Sequence, residues 1–302
     1  MQWFWISLAA SAIWALVNHA DKYIISKYFV GKGVGSLVIF TSLSGFIFAL
    51  FILLFDRSVL AFDFLSAVII AISGAILVAS FIPYLYALEK EEASMVSTLF
   101  QLIPVFSYFL ALFFLNETLS LKQIFASLLI LLGAVIISLD LSKKINLKLR
   151  PFLLMVVSSF MSALSALIFK IIALEQNYWG TAFWEYIGGA FFGLFLFTCI
   201  GLYRKQFLAT IAKGRLVVFS INFLAELLNI IAKLLVNFAS LLAPLTLVLV
   251  VNGFQPLFVF VYGILITIFL PKIGKETLTK KVIVQKLIAI FVIFIGVYFL
   301  FV

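Results

Sequence analysis

The sequence predicts an all-α membrane protein in which ten transmembrane helices form two inverted five-helix repeats. Of its 302 residues, 66% are hydrophobic and only 11% are charged, whereas soluble domains carry about 25% charged residues. Apolar stretches of about 20 residues, the length that crosses a bilayer as a helix, recur along the whole chain. Short segments of the first half also return in similar form in the second half. Together these three observations predict the fold class.

The apolar stretches are separated by short polar connections, and none of these connections is long enough to hold a soluble domain. The predicted spans are roughly 2–20, 36–55, 64–88, 95–115, 120–139, 151–173, 180–203, 216–238, 243–270 and 282–302. The first stretch resembles a secretory signal, but it lacks basic residues at its start and has a partner later in the chain. We therefore interpret it as the first transmembrane helix.

Basic residues are concentrated on one side of this predicted topology. Most of the 21 Lys and Arg residues lie in the odd-numbered connections between spans. The other side holds only Arg57, Lys122 and Lys170, while Lys233 lies inside a span. Because positively charged connections stay in the cytoplasm, we expect a plasma (inner) membrane protein with both termini outside. The net charge of +9 indicates contact with lipid head groups and gives no reason to expect nucleic acid as a partner.

Two pairs of similar segments indicate an internal duplication. "NETLSLKQ" at 116–123 resembles "KETLTKKV" at 275–282, and "SAIWALVNHADK" at 11–22 aligns without gaps to "SFMSALSALIFK" at 159–170. Chance similarity between apolar helices accounts for shared Leu and Ile, but it does not account for the paired E-T-L segments. The sequence therefore predicts two repeats, a pattern that is common in transporters.

The repeat boundaries follow from this alignment. The first five-helix repeat is expected to span residues 1–144 and the second residues 145–302. Since five is an odd number, the second repeat must enter the membrane from the opposite side. The two halves are thus expected to be inverted relative to each other.

One region carries a more specific resemblance. The stretch "LIPVFSYFLALFFLNETLS" at 102–120 has a proline within the helix and a Glu just past the helix end. With the Trp-containing first span ending at Lys22 and glycine in the fifth span, the chain resembles the EamA-type drug/metabolite transporter superfamily. This resemblance implies that helices 1, 3, 4, 6, 8 and 9 surround a central substrate cavity. It also implies termini in the cytoplasm, opposite to the orientation expected from the Lys and Arg residues.

Polar side chains recur every three or four residues on several spans, which places them on one helix face. Without water in the bilayer core, such faces must contact other helices or a cavity. The candidate substrate-binding residues on these faces are Trp14 and Asn18 in span 1, Tyr84 in span 3, Gln101 in span 4, Ser158 and Ser162 in span 6, and Asn252 and Gln255 in span 9. Serine also favours close helix packing, so for the serine faces both interpretations stay open.

The eighth span contains the most informative polar residues. Its segment "NFLAELLNIIAKLLVN" carries Asn222, Glu226, Asn229, Lys233 and Asn237 near the middle of an apolar helix. A charged side chain at this depth costs a few kcal/mol or more, so it needs a partner or a function. Glu226 and Lys233 are separated by roughly 10 Å along the helix axis, which predicts a water-filled cavity or a substrate between them. In the alternative interpretation Lys233 extends to the membrane surface and Glu226 bonds to a neighbouring helix.

Two further residues are candidates for coupling or gating. Glu185 is a second carboxylate within a span, although it could also lie near the head groups. His19 is the only histidine; it is a candidate proton switch or a residue without a role in function. Lys170 is expected to anchor a helix end at the membrane interface, and Glu117 is expected to be a structural residue at a helix end.

These features favour a secondary active transporter that moves a small metabolite by alternating access through a central cavity, with a proton or cation as a possible coupling ion. An amino acid or another amine-bearing compound is the favoured substrate, because Glu226 and Lys233 together suit a zwitterion. A lipid or lipid-carrier flippase of the same fold is the alternative. A membrane enzyme is less favoured, because no nucleotide-binding or hydrolase motif occurs and one His with one Cys makes no typical metal site. No cofactor is expected.

Overall fold

The computed structural model describes residues 1–28, 34–90, 96, 99–138, 149–212, 216–269 and 280–301. Within these ranges every regular element is helical. The helices are α1 Gln2–Tyr28, α2 Val34–Phe55, α3 Phe64–Leu88, α4 Leu102–Leu115, α5 Leu121–Ser138, α6 Leu149–Glu175, α7 Tyr178–Cys199, α8 Gly201–Ala212, α9 Leu216–Leu242, α10 Leu245–Val251, α11 Gln255–Phe269 and α12 Lys280–Phe301. Short 3₁₀ helices lie at Arg57–Ala61 and Asn252–Phe254.

The protein is a multi-pass membrane protein. In the described part of the chain, eight helices are long and apolar enough to cross a bilayer. Two shorter apolar helices, Leu102–Leu115 and Leu121–Ile137, lie at the positions of the predicted fourth and fifth spans. Helices therefore occur wherever the sequence predicts a span, while the ten-span topology and the inverted repeat stay predictions. Helix α8 was not predicted; it begins at Gly201, at the end of the predicted seventh span, and continues into the connection that follows.

The ninth predicted span is not one continuous α-helix, which corrects the sequence prediction. It consists of α10, the 3₁₀ turn Asn252–Phe254 and α11. Pro256 lacks a backbone N–H and is tolerated in the first turn of a helix, so the chain starts a new helix at this point. Two polar residues of this apolar segment, Asn252 and Gln255, lie at the interruption.

Apolar side chains cover the outside of the helix assembly. Phe64, Phe113 and Leu121 are 81%, 76% and 86% exposed, as expected for residues that face lipid chains. Inside, α1 packs on α9, α3 packs on α6 and α7, and α2 packs on α7. Many of the residues buried between these helices are small, so the interior is held by close backbone approach as well as by large side chains.

The α3–α7 contact depends on glycine. The sequence places Gly188, Gly189 and Gly193 on α7, a pattern that favours close helix packing. A Cβ atom on Gly188 would lie 1.9 Å from the carbonyl oxygen of Ala71, and one on Gly74 would lie 1.8 Å from that of Glu185. The two backbones therefore touch, and this contact holds Glu185 at a fixed position relative to α3.

Replacing Gly188 with Ala is expected to lower the free energy of unfolding by about 1–3 kcal/mol, because α3 and α7 must separate to accommodate the methyl group. Thermal unfolding of the purified protein in detergent measures this effect. Gly201→Ala is the matched control, since a Cβ there meets nothing within 4 Å. Equal unfolding temperatures for the two variants would contradict the close contact.

Helices α5 and α12 pack on each other through the same residue types. A Cβ on Gly133 would lie 2.9 Å from the carbonyl oxygen of Ala289, and a Cβ on Gly296 would lie 2.9 Å from that of Ala126. In both helices the glycine follows the alanine by seven residues, with an isoleucine four residues after the alanine. The later residue Gly133 of α5 contacts the earlier residue Ala289 of α12, and the earlier Ala126 contacts the later Gly296, so the two helices run antiparallel. The contact is reciprocal because each glycine meets the alanine of the other helix.

Two carboxylates define the connection between α2 and α3. Asp56 accepts hydrogen bonds from the hydroxyl and the backbone N–H of Ser58, and Asp63 caps α3 by accepting from the N–H of Ser66 at 2.9 Å. These bonds lower the pKa of both carboxyl groups below the ordinary value. Their contribution to stability is therefore present above the pKa of the unfolded chain and is lost as the pH falls through the lower folded-state pKa.

Candidate functional site

A cavity of about 360 Å³ lies among the helices. Its walls include residues in the first half of α2, between 37 and 45, and residues in the second half of α3, between 74 and 85. Residues in the middle of α1, α6, α7 and α9, near the start of α4, and around the 3₁₀ turn Asn252–Phe254 complete the lining. The cavity therefore extends from the middle of the helices toward the end at which α2 begins and α3 ends.

Most residues that the sequence singles out come together here. The cavity is lined by Trp14, Asn18, Tyr84, Gln101, Ser162, Glu185, Glu226, Asn229, Lys233, Asn237, Asn252 and Gln255. Asn252 lies in the 3₁₀ turn Asn252–Phe254 that interrupts the helix, and Gln255 directly follows it. Residues from most of the helices thus converge on one concave space, as is typical of small-molecule sites.

Three candidate residues are placed differently. Ser158 lies outside this lining and donates a hydrogen bond to the backbone oxygen of Ser80 at 2.9 Å, so it serves helix packing. His19 also lies outside the lining, with its ring Nε2 2.9 Å from the backbone oxygen of Val259. The side chain of Asn222 lies outside the described residues.

Glu226 is held in the cavity wall by neutral donors. The hydroxyl of Thr41 donates to its Oε1 at 2.5 Å, and Nδ2 of Asn229 donates to its Oε2 at 3.4 Å. Trp14 Nε1 donates to Oδ1 of Asn229 at 2.8 Å. Because an indole N–H only donates, it turns the amide oxygen of Asn229 toward Trp14 and the amide nitrogen toward Glu226. Both carboxyl oxygens of Glu226 therefore have a neutral hydrogen-bond partner among the described residues.

Lys233 pairs with a residue of α7, a partner that neither interpretation of the sequence named. Its Nζ lies 2.6 Å from Oε2 of Glu185 and 5.4 Å from the ring centre of Tyr186. Ser165 donates to the other oxygen of Glu185 at 3.3 Å. The lysine therefore does not extend to the membrane surface. It lines the same cavity as Glu226, as the first interpretation expects, and Glu226 bonds to Thr41 of the neighbouring α2, as the alternative expects. Glu185 is only 2% exposed, so it lies inside the protein rather than near the head groups.

The resemblance to a known family predicted the cavity helices incompletely. It named spans 1, 3, 4, 6, 8 and 9, which correspond in the structure to α1, α3, α4, α6, α9 and the pair α10 and α11. The structure adds α2, which supplies Thr41, and α7, which supplies Glu185 and Tyr186. Thr41 was missed because a single threonine in an apolar helix carries no spacing signal. Its alignment with Glu185 in the repeat was the available clue.

Unpaired polar atoms remain at the cavity wall. Tyr186 Oη and Asn237 Nδ2 are buried and have no hydrogen-bond partner among the described residues. Both residues line the cavity. Since buried polar groups are nearly always hydrogen-bonded, these atoms are available to a ligand or to ordered water.

Known proteins resemble the chain in sequence and in fold. Residues 1–139 match the EamA-like transporter family. This match confirms the resemblance drawn from the sequence and supports a membrane transporter of the drug/metabolite type. The EamA-like part contains α1 to α5 and so supplies Trp14, Thr41 and Gln101 to the cavity.

Two further comparisons concern the whole fold and a shorter stretch. A crystal structure with 14% sequence identity matches with a TM-score of 0.64 and covers 100% of this chain and 99% of its own, which shows the fold alone. An uncharacterized protein of Methanocaldococcus jannaschii is 33% identical over 89 residues. That stretch is 30% of this chain, and it spans 60% of the relative's length.

A second buried ion pair lies at the other end of the helices. Lys170 is 4% exposed and donates to a carboxylate oxygen of Glu117 and to the backbone oxygen of Ala243, the latter at 2.8 Å. The other oxygen of Glu117 accepts from the N–H of Leu245 at 2.7 Å. The expectation that Lys170 anchors a helix at the interface is therefore wrong. The pair ties the end of α4 and the α9–α10 connection to α6, while the cavity touches α4 at its start.

In the described ranges, no three His, Cys, Asp or Glu side chains come together in a way that could hold a metal ion. What the cavity offers is one carboxylate with neutral partners, one internal ion pair and several amide and aromatic groups. This set suits reversible binding of a small polar molecule.

Proposed function

We propose that the chain is a secondary active transporter that moves a small metabolite through this cavity by alternating access. The observation that carries the proposal is Glu226, a carboxylate near the middle of a spanning helix that lines the cavity and whose hydrogen-bond donors among the described residues are neutral. A carboxylate at this depth is costly and in membrane proteins marks a substrate or ion pathway. An amine-bearing substrate is favoured because an ammonium group complements it.

The size of the cavity supports this function. About 360 Å³ falls within the range of roughly 300–1,000 Å³ found for small-molecule sites. Its lining is mostly apolar with a few polar groups that can orient a ligand. Such a site suits a metabolite with an apolar body and a charged or polar end.

The packing of the helices supports an inverted repeat of residues 1–144 and 145–302. Helices α5 and α12 contact each other reciprocally and antiparallel through Gly133 and Gly296. The α1–α9 contact has its counterpart in α6–α3, as an exchange of the two halves requires. Inverted repeats permit alternating access, because each half adopts the conformation of the other when the two rock.

The Glu117–Lys170 pair supports a state that is closed at one end. The cavity extends toward the start of α2, whereas the pair holds α4, α6 and the α9–α10 connection together at the opposite end. Alternating access requires this end to open in the other state. The contacts of Glu117 with Lys170 and Leu245 are then the ones that separate.

Energy for transport would come from an ion gradient or from exchange, because the sequence contains no nucleotide-binding motif. The distribution of Lys and Arg places both termini outside, and this orientation stays a prediction. A plasma membrane location stays a prediction as well.

Transport in proteoliposomes tests the proposal. We expect the reconstituted protein to take up at least one compound from a panel of labelled amines, amino acids and carboxylates under an imposed proton or sodium gradient. Glu226→Gln is expected to lower uptake at least about tenfold, since a hydrogen bond to a charged group is worth about 1.5–3 kcal/mol. Glu175→Gln is the control, because it makes the same change at an exposed residue at the end of α6.

Either of two results would contradict the proposal. Uptake by Glu226→Gln at the rate of the unaltered protein would show that Glu226 is not part of the substrate site. A complete lack of protein-dependent uptake across the panel would remove the function.

A further inference from the structure

The charges that face the cavity do not balance. Among the lining residues that the structure describes, the charged side chains are Glu185, Glu226 and Lys233. Glu185 and Lys233 neutralise each other across 2.6 Å. One negative charge, on Glu226, is left without a cationic partner.

Lys233 is not available to a substrate carboxylate. Its Nζ is buried and already faces the carboxylate of Glu185, so a substrate anion would be the second negative charge on a single ammonium group. Drawing Lys233 away from Glu185 would leave a buried charge uncompensated, which is strongly unfavourable. A zwitterionic substrate would therefore find a partner for its ammonium group but none for its carboxylate.

Glu226 has the opposite property. Its partners Thr41 and Asn229 are neutral, and Trp14 holds Asn229 in the orientation that donates to the carboxylate. Each carboxylate oxygen can accept a further hydrogen bond, and Glu226 lines the cavity. A cationic ligand would supply the compensating charge that the protein itself does not.

The rest of the lining suits an apolar body. Phe81, Tyr84 and Phe100 line the cavity together with aliphatic side chains. Aromatic rings also attract cations through their electron-rich faces. The cavity thus combines one acidic group with an apolar and aromatic surface.

We propose that the cavity selects a small organic monocation, an amine with an apolar body whose ammonium group binds Glu226, over zwitterionic amino acids and over anions. This inference rests on the proposed transport function and narrows its substrate class. It also departs from the sequence-based expectation of a zwitterion, because the structure assigns Lys233 to Glu185.

Matched probes test the inference. Phenethylamine, phenylalanine and 3-phenylpropionate carry the same ring with a positive, a zwitterionic and a negative end at neutral pH. Isothermal titration of each against the full-length protein in detergent is expected to give binding of phenethylamine at least about tenfold tighter than of the other two. Butylamine, norvaline and pentanoate repeat the comparison without the ring.

Two variants distinguish the role of each charge. Glu226→Gln is expected to abolish the preference for amines. The double variant Glu185→Gln/Lys233→Met removes both members of the ion pair without changing the net charge of the cavity, and it is expected to keep the preference. A preference that survives in Glu226→Gln, or that is lost in a folded double variant, would overturn the inference.

The outcome is separable from that of the transport assay. Binding of phenylalanine as tight as that of phenethylamine, or no binding of either amine, overturns the cation preference. If Glu226-dependent uptake of an amino acid is then observed in proteoliposomes, the transport function stands and only the substrate class is wrong.

Discussion

Replacing Lys170 with Met is expected to lower the free energy of unfolding by about 3–5 kcal/mol, the range found when one partner of a buried ion pair is removed. The side chain of Lys170 is 5% exposed and that of Glu117 is 17% exposed, so water does little to compensate the carboxylate left behind. The backbone oxygen of Ala243 also loses a donor. Equilibrium unfolding of the purified protein measures the change.

Two controls separate the ion pair from a general effect of removing a lysine. Lys122→Met makes the same substitution at an exposed residue of α5 and is expected to change stability by less than about 0.5 kcal/mol. Glu117→Gln/Lys170→Met removes both charges and is expected to recover much of the loss, because no unpaired charge remains. If Lys170→Met destabilises no more than Lys122→Met, the pair does not hold this end of the helices together.

Replacing Lys233 is expected to lower the free energy of unfolding more than replacing its partner Glu185. Lys233→Met leaves Glu185 charged and only 2% exposed, so it is expected to cost about 3–5 kcal/mol of unfolding free energy. Glu185→Gln leaves the ammonium group of Lys233, whose Nζ is also buried but lies 5.4 Å from the Tyr186 ring centre. The electron-rich face of the ring compensates the lysine in part, so this variant is expected to cost less.

A double-mutant cycle tests this asymmetry. Glu185→Gln/Lys233→Met is expected to be more stable than Lys233→Met alone, with a coupling energy above about 1 kcal/mol. Equal costs for the two single variants would contradict the asymmetry, whereas additive effects in the double variant would show that the residues do not stabilise each other. Because the same double variant keeps the net charge of the cavity, it also serves the binding experiment.

The site could be predicted from the sequence where a residue type is unusual for its surroundings. Glu226 and Lys233 stand out because charge is rare in an apolar helix, and Asn229 and Asn237 share their span. Gln101, Asn252 and Gln255 stand out because amide side chains are also uncommon in apolar segments. All of these residues line the cavity. Their depth in the membrane follows from counting residues along a helix.

Sequence reasoning fails where a residue type is ordinary. Thr41 is unremarkable in α2, yet it makes the shortest hydrogen bond to Glu226. Ser158 appears equivalent to Ser162, yet only Ser162 lines the cavity while Ser158 bonds to the backbone of α3. Small hydroxyl residues serve packing and lining equally well, so only the position of the neighbouring helix distinguishes the two.

The sequence by itself indicated that the chain lies in a membrane, that it is helical, and where its long apolar helices lie. These properties follow from the composition of segments of about 20 residues, because a bilayer stabilises any sufficiently apolar helix of that length. Which charges pair with each other was decided only by the tertiary structure, since an ion pair depends on which helices pack together and at what rotation. Lys233 lies on the same helix as Glu226, but α7 brings Glu185 within 2.6 Å of it. Among the described residues, that contact leaves Glu226 as the cavity charge whose hydrogen-bond partners are all neutral, and it turns an expected zwitterion site into a proposed site for a cation.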